Sequence, residues 1–241
     1  ALAANRAAGT VSVLRIDGKR VTHLREVKVG EPAQSASDVA ISPNGRLALV
    51  SLQKAGVLAE LKIEGESVEL TGRRFSVYGS PYRVVITPDG RFALTSGAGL
   101  GNSTDADAVS VIDLKANPPR TIQHLTTGVV PESIEISPDG KLLAVVTMDG
   151  SNLAAGNPNR TTAGGLYLYR RRGDCFEPSQ ELKTGRIPEG VAFTADGKHL
   201  IVQCHPDREL RLYSVRGGKV RDTGERVKLP GMPSSLRAAT K

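Results

Sequence analysis

Hydrophobic and polar positions along this chain alternate in short runs rather than at helical intervals, and the same order of runs recurs. An alternating stretch (DVAIS, RVVIT, SIEIS, GVAFT) is followed by a turn and then by a more continuously apolar stretch (RLALVS, RFALTS, KLLAVVT, KHLIVQC). Alternation marks a strand with one covered face, and a short continuous apolar run marks a strand covered on both. A third, alternating run comes next (VLAELKI, AVSVIDL, GLYLYR, ELRLYSV), then a more polar fourth around SVELTG, RTIQHLT, EPSQELK and RDTGERVKL. Each unit therefore predicts four short strands, the fourth facing solvent, and no long helix.

The turn between the first and second strands is itself a repeated phrase: SPNG ending at Gly45, TPDG at Gly90, SPDG at Gly140 and TADG at Gly197. Asp or Asn followed by Gly supplies the positive φ of a tight strand-to-strand turn. Residues 1 to 21 align without a gap onto 48 to 68, so the chain opens inside a second strand. PSSLRAATK at the other end aligns with a first strand, Ser235 falling on Asp38. The pattern predicts an all-β protein, a β-propeller of four-stranded blades with five blade equivalents. These are 1–30 with 231–241, 31–75, 76–127, 128–184 and 185–230, in one domain spanning 1–241. Pairing the N- and C-terminal strands in one blade would close it, as a five-bladed ring or as part of a seven-bladed one lacking upstream blades.

The phrase P-x-x-[VI]-x-[IF]-[ST]-P-[DN]-G-[RK], followed by a third strand such as AVSVIDL, resembles the YVTN-type propellers, which include lactonase-like proteins and periplasmic binding propellers. The resemblance covers essentially the whole chain. It implies a periplasmic or secreted location, with a lactone hydrolase of the 6-phosphogluconolactonase type as one possible activity. Its motifs are turn and packing residues, so they specify fold more than chemistry.

Composition agrees with many strands and turns: 39% hydrophobic and 24% charged residues, with 26 Gly and 14 Pro in 241 residues. No apolar run is long enough to span a bilayer. The net charge is +7, but apart from Arg170, Arg171 and Arg172 the cations are scattered among acids, so no nucleic-acid partner is expected. Cys175 and Cys204 lack metal-site spacing and are expected on opposite faces, too far apart for a disulfide.

Candidate chemistry lies where the repeats differ, on the loops that lead into the first strands: Ser37 and Asp38, Tyr82 and Arg83, Glu132 and Ser133, Glu189 and Gly190, Ser234 and Ser235. In a propeller these positions rim the channel, on the face that also carries the loops between second and third strands. The ligand-binding set predicted there is Asp38, Tyr82, Arg83, Glu132, Glu189 and His205. Of four histidines, His23, His124 and His199 fall on outer or turn-adjacent positions, whereas His205 lies on this face within reach of Glu189. The favoured function is non-catalytic binding of a small molecule or protein partner. The alternative is lactone hydrolysis, with His205, Glu189, Glu132 and Arg83 as the catalytic candidates. No cofactor is expected, apart from a divalent cation held by Asp38, Glu132 and Glu189 in the hydrolase reading. Long loops at 96–107 and 148–165 also fall on this face. Gly97, Gly99 and Gly101 lack phosphate-loop spacing, Asp105 and Asp107 are isolated oxygen donors, and Asn102 and Asn159 lie in N-x-T sequons.

Overall fold

The computed structural model describes residues 1–99 and 105–238. Among the described residues, nineteen strands build five antiparallel sheets. The first has three strands, β1 (Leu2–Asn5), β2 (Thr10–Asp17) and β3 (Arg20–Lys28). Then come β4 (Ala36–Ile41), β5 (Leu47–Leu52), β6 (Val57–Glu64) and β7 (Ser67–Ser76). The third sheet holds β8 (Ser80–Ile86), β9 (Phe92–Ala98), β10 (Ala108–Asp113) and β11 (Arg120–Thr126). The fourth holds β12 (Pro131–Ile136), β13 (Leu142–Thr147), β14 (Gly165–Arg172) and β15 (Cys175–Lys183). The last holds β16 (Pro188–Phe193), β17 (His199–Cys204), β18 (Glu209–Arg216) and β19 (Lys219–Lys228). In every sheet the spatial order follows the chain, so each sheet is a run of hairpins.

The chain forms two compact units, one of residues 1–97 and 110–123, the other of 98–109 and 124–241. Each has its own apolar core. In the first, Val11, Val50, Leu52 and Leu61 form one cluster, and Leu49, Leu58, Phe75, Val84 and Ile112 another. In the second, Leu166, Leu168, Val191, Leu200, Val202 and Tyr213 pack together. The continuously apolar runs are the second strands, and β13 is buried at every position, as a strand covered on both faces requires. Strand β10 departs from its expected alternation, being buried at all six residues.

The recurrent turn is built identically four times. The hydroxyl of Thr87 donates to Asp89 Oδ1 (2.6 Å) and accepts the Phe92 amide (3.0 Å), while Gly90 closes the turn at φ +64°. Ser42 with Asn44, Ser137 with Asp139, and Thr194 with Asp196 repeat the arrangement. Gly97 is required for a different reason: a Cβ there would lie 1.9 Å from the Tyr78 carbonyl oxygen. Its place in β9 is a close backbone approach, not a phosphate cradle.

The expected closing strand differs from the structure. Residues 232–238 have no strand assignment, and the first sheet has three strands among the described residues. Leu236 instead lies against β16, where a Cβ on Gly190 would meet its Cβ at 2.6 Å, and Pro233 accepts a hydrogen bond from Gln203.

Candidate functional site

The loop before each of three first strands ends in a residue forced into the left-handed region: Ser35 (φ 58°), Val130 (φ 57°) and Ile187 (φ 46°). Residues other than glycine seldom adopt this conformation, branched ones such as Val130 and Ile187 least of all, so the fold must hold them there. Each carbonyl accepts the amide of the residue that follows the second strand: Ser35 from Gln53 (2.9 Å), Val130 from Met148 (3.0 Å) and Ile187 from His205 (3.1 Å). The Val130 amide donates to Asp107 Oδ2 (2.8 Å) and that of Ile187 to Ser151 Oγ (2.9 Å). The device brings the end of each second strand against the start of its first, which is where the repeats differ.

In the first unit it gathers Asp38, Tyr82 and Arg83. Asp38 Oδ2 accepts the Val84 amide at 3.0 Å and lies 3.8 Å from Arg83 Nε, both side chains being mostly buried. Ser51 Oγ accepts the Asp38 amide (2.9 Å) and donates to the Tyr82 carbonyl (2.8 Å). The Arg6 guanidinium stands 5.8 Å from the Tyr82 ring centre and donates to Ser35 Oγ and Gln53 Oε1. Asp38 therefore helps hold β8 in place through the Val84 amide, besides carrying charge.

In the second unit Glu189 and His205 come together. Glu189 Oε2 lies 3.5 Å from His205 Nδ1, and the Pro233 carbonyl oxygen lies 2.8 Å from the same nitrogen. A carbonyl only accepts, so Nδ1 carries the proton in the neutral ring and Nε2 keeps its lone pair. Burial pushes the Glu189 carboxyl above its ordinary value, and His205 only partly opposes this. Gln203, fully buried, donates from Nε2 to the same Pro233 carbonyl (3.1 Å); its Oε1 has no partner among the described residues.

Beside this pair the loop before β18 is tied down by charge. Asp207 accepts the Arg186 amide and the Arg186 guanidinium, each at 2.9 Å. Burial alone would raise Asp207, but these donors, with Arg211, hold it below the usual carboxylate range. Glu209 is 7% exposed and bonded to Arg211 (2.9 Å) and Lys228 (2.6 Å), which likewise outweigh burial and depress it.

Glu132 is half-buried at the second position of β12, and the neighbouring Ser133 Oγ is buried without a partner among the described residues. Asp107 is occupied by backbone donors, Gly99 (2.6 Å) and Val130, which accounts for its burial structurally; Asp105 is exposed. Gly101 and Asn102 lie outside the described residues. Both cysteines are free, Cys175 exposed and Cys204 buried. Among the described residues no three His, Cys, Asp or Glu side chains are grouped to hold a metal ion, and no helix is long and apolar enough to cross a membrane.

Sequence reasoning missed the acids that follow the second strands. Asp149 Oδ1 accepts the Val129 amide at 2.9 Å, as Asp207 does for Arg186, and its Oδ2 lies 3.4 Å from the Tyr167 hydroxyl, which is 3.3 Å from Glu181. Burial, then these two carboxylates, push the Tyr167 hydroxyl far up. The repeat alignment gives no signal for them: with Arg6, Gln53, Met148 and His205 at one equivalent position, Asp149 falls opposite Pro206, one residue short of Asp207.

No family model matches the chain, and no curated protein does. Solved structures do. Kuenenia stuttgartiensis hydrazine synthase is similar at TM-score 0.76 and 18% identity, over 98% of this chain and 73% of that one. The periplasmic gluconolactonase of Pseudomonas aeruginosa is similar at TM-score 0.71 and 19% identity, over 97% and 68%. A β-propeller domain from Myceliophteria thermophila is similar at TM-score 0.55 and 15% identity, over 90% and 65%. At these identities the likeness establishes the fold, a β-propeller, and not the activity.

Proposed function

We propose that the chain is a non-catalytic binding propeller whose ligand is a small polyhydroxylated molecule, held in the second unit by Glu189 and His205. The observation that supports this is their approach to 3.5 Å beside the Pro233 carbonyl. Carboxylate oxygens and the bare Nε2 are acceptors, so the pair suits a ligand offering hydroxyl donors. Most other acids on these loops are taken up by backbone amides: Asp38 by Val84, Asp107 by Val130, Asp149 by Val129 and Asp207 by Arg186. That is the organisation of a scaffold presenting a few polar groups rather than of a paired acid and base repeated around a site. A cell-envelope location goes with this reading, supported by the YVTN-type resemblance and by the periplasmic gluconolactonase that shares the fold.

One observation favours a second reading, lactone hydrolysis. With Nδ1 tied to Pro233 and Glu189, Nε2 is oriented as a base. It would take a proton from water as the water oxygen bonds to the lactone carbonyl carbon; the ring C–O bond then breaks and its alkoxide regains a proton.

D-gluconate and δ-gluconolactone separate the two. Binding predicts saturable calorimetric titration with both, weakened roughly ten-fold or more in an E189Q/H205N double variant (one tenfold step being about 1.4 kcal/mol), and no lactone opening above the uncatalysed rate. Opening that is lost in His205→Asn supports the hydrolase instead. Absence of binding and of turnover with these probes and a panel of neutral sugars overturns both.

A further inference from the structure

The fourth and fifth sheets place two polar hairpins side by side. Strand β14 ends at Arg172 and turns into β15; strand β18 ends at Arg216 and turns into β19. Gln180 on β15 clasps β19, its Oε1 accepting the Val220 amide (2.8 Å) and its Nε2 donating to the Val220 carbonyl (3.1 Å). Arg170 reaches across as well, donating to the Gly217 carbonyl at 3.0 Å. Between the hairpins is a cleft of about 530 Å³, lined by Arg170, Arg172, Lys219 and Arg221 against a single acid, Glu177.

Successive strand residues alternate faces, so Arg170 and Arg172 share one face and Lys219 and Arg221 another. Two residues along a strand span about 7 Å, which sets two short rows of positive charge with that spacing. Glu177 compensates little: it stands 3.9 Å from Arg172, and both side chains are more than half exposed. Arg170 is already oriented by Gly217, and its Nε is buried without a partner among the described residues. Four cations converging on one cleft raise the local concentration of anions, and the planar guanidinium matches tetrahedral oxyanions with two donors at once.

We infer that this cleft binds a compact anion bearing two or more phosphoryl groups. A phosphoryl chain carries several oxyanion charges on linked centres, so one compact ligand can meet cations of both rows at once. A nucleic acid fits less well, because none of the residues lining the cleft is aromatic and so no base can be stacked there. The site is separate from Glu189 and His205 and stands whether or not they bind a ligand.

Inorganic tripolyphosphate is the probe, titrated into the whole chain by calorimetry, with sulfate and inorganic monophosphate as single-charge-centre comparisons. The expected result is saturable one-to-one binding, stronger than either comparison and weakening steeply as salt rises from about 50 to about 200 mM. R172E/R221E should weaken it at least roughly ten-fold, while K19E/R20E, which changes net charge equally at exposed positions elsewhere, should change it less than about two-fold. Equal weakening by both variants reduces the effect to overall charge and overturns the inference. Preference for a single-stranded oligonucleotide over tripolyphosphate overturns it in favour of a nucleic-acid surface, and absence of binding by the folded chain overturns it outright.

Discussion

At Glu189 two opposed influences meet, and burial prevails over the neighbouring imidazole, leaving the carboxyl above its ordinary value. A folded-state value above the unfolded one means that the folded chain binds more protons across that window. Stability contributed by the protonated form is then complete below the ordinary glutamate value and declines as pH rises through the raised one. Glu189→Gln keeps the shape and removes the charge. Urea denaturation of both proteins at about pH 4 and about pH 7 should therefore show the variant gaining on the parent as pH rises. A variant that loses ground instead would mean that the ionised carboxylate is stabilised by His205 more than burial costs it. His205 itself depends on its backbone, since Ile187 accepts its amide from a left-handed conformation and so fixes where the ring projects.

At the scale of elements, the repeated turn shows how a phrase becomes a structure. The sequence made the Asp-Gly half legible, because positive φ at Gly is a backbone requirement that any such turn shares. The preceding Ser or Thr was no less determined, yet its role appears only when the hydroxyl is seen bridging Asp89 and the buried Phe92 amide. Replacing Thr87 by Val keeps the volume and removes the hydroxyl to which that buried amide donates, which should cost about 1–3 kcal/mol. The same change at the more exposed Thr194 should cost less, because water can reach its turn. Chemical denaturation of the two variants checks the order, and equal losses would show that burial is not what makes the hydroxyl matter. The order of strands was readable for a related reason: second strands are apolar because both faces are covered. The site was readable only in part. Glu189, Asp38 and Arg83 stood out as positions where neighbours repeat and they do not, and His205 as the one histidine expected on the same face. Asp149 with Tyr167 depends on how the long loop after β13 folds back onto β14, and the cleft at Arg170 on which residues of two separate hairpins are brought together; no local pattern encodes either.

At the scale of the whole molecule, four depressed carboxyls gather in one sheet. Asp196, Asp207, Glu209 and Asp222 all lie in the last sheet or the loops within it. A value held below that of the unfolded chain contributes stability above the ordinary carboxylate range and loses it as pH falls through the depressed value. Glu209 matters most, being nearly buried among Arg211, Lys228 and Arg226: protonating it would remove the carboxylate these three cations share, Arg226 keeping Asp222 and Arg211 keeping Asp207. Acidification from about pH 5 to about pH 3 should thus loosen β16–β19 before β4–β7. Amide exchange corrected for its intrinsic acid dependence resolves the two sheets separately. Glu209→Gln should begin less protected in β18 and β19 at neutral pH, because Arg211, Lys228 and Arg226 have already lost the charge of Glu209, and should then change less on acidification. If the two sheets open together, or if the variant is as steep as the parent, the acid response arises from overall positive charge rather than from the Glu209 cluster, since protonating every carboxylate of a chain already at +7 repels all its parts alike.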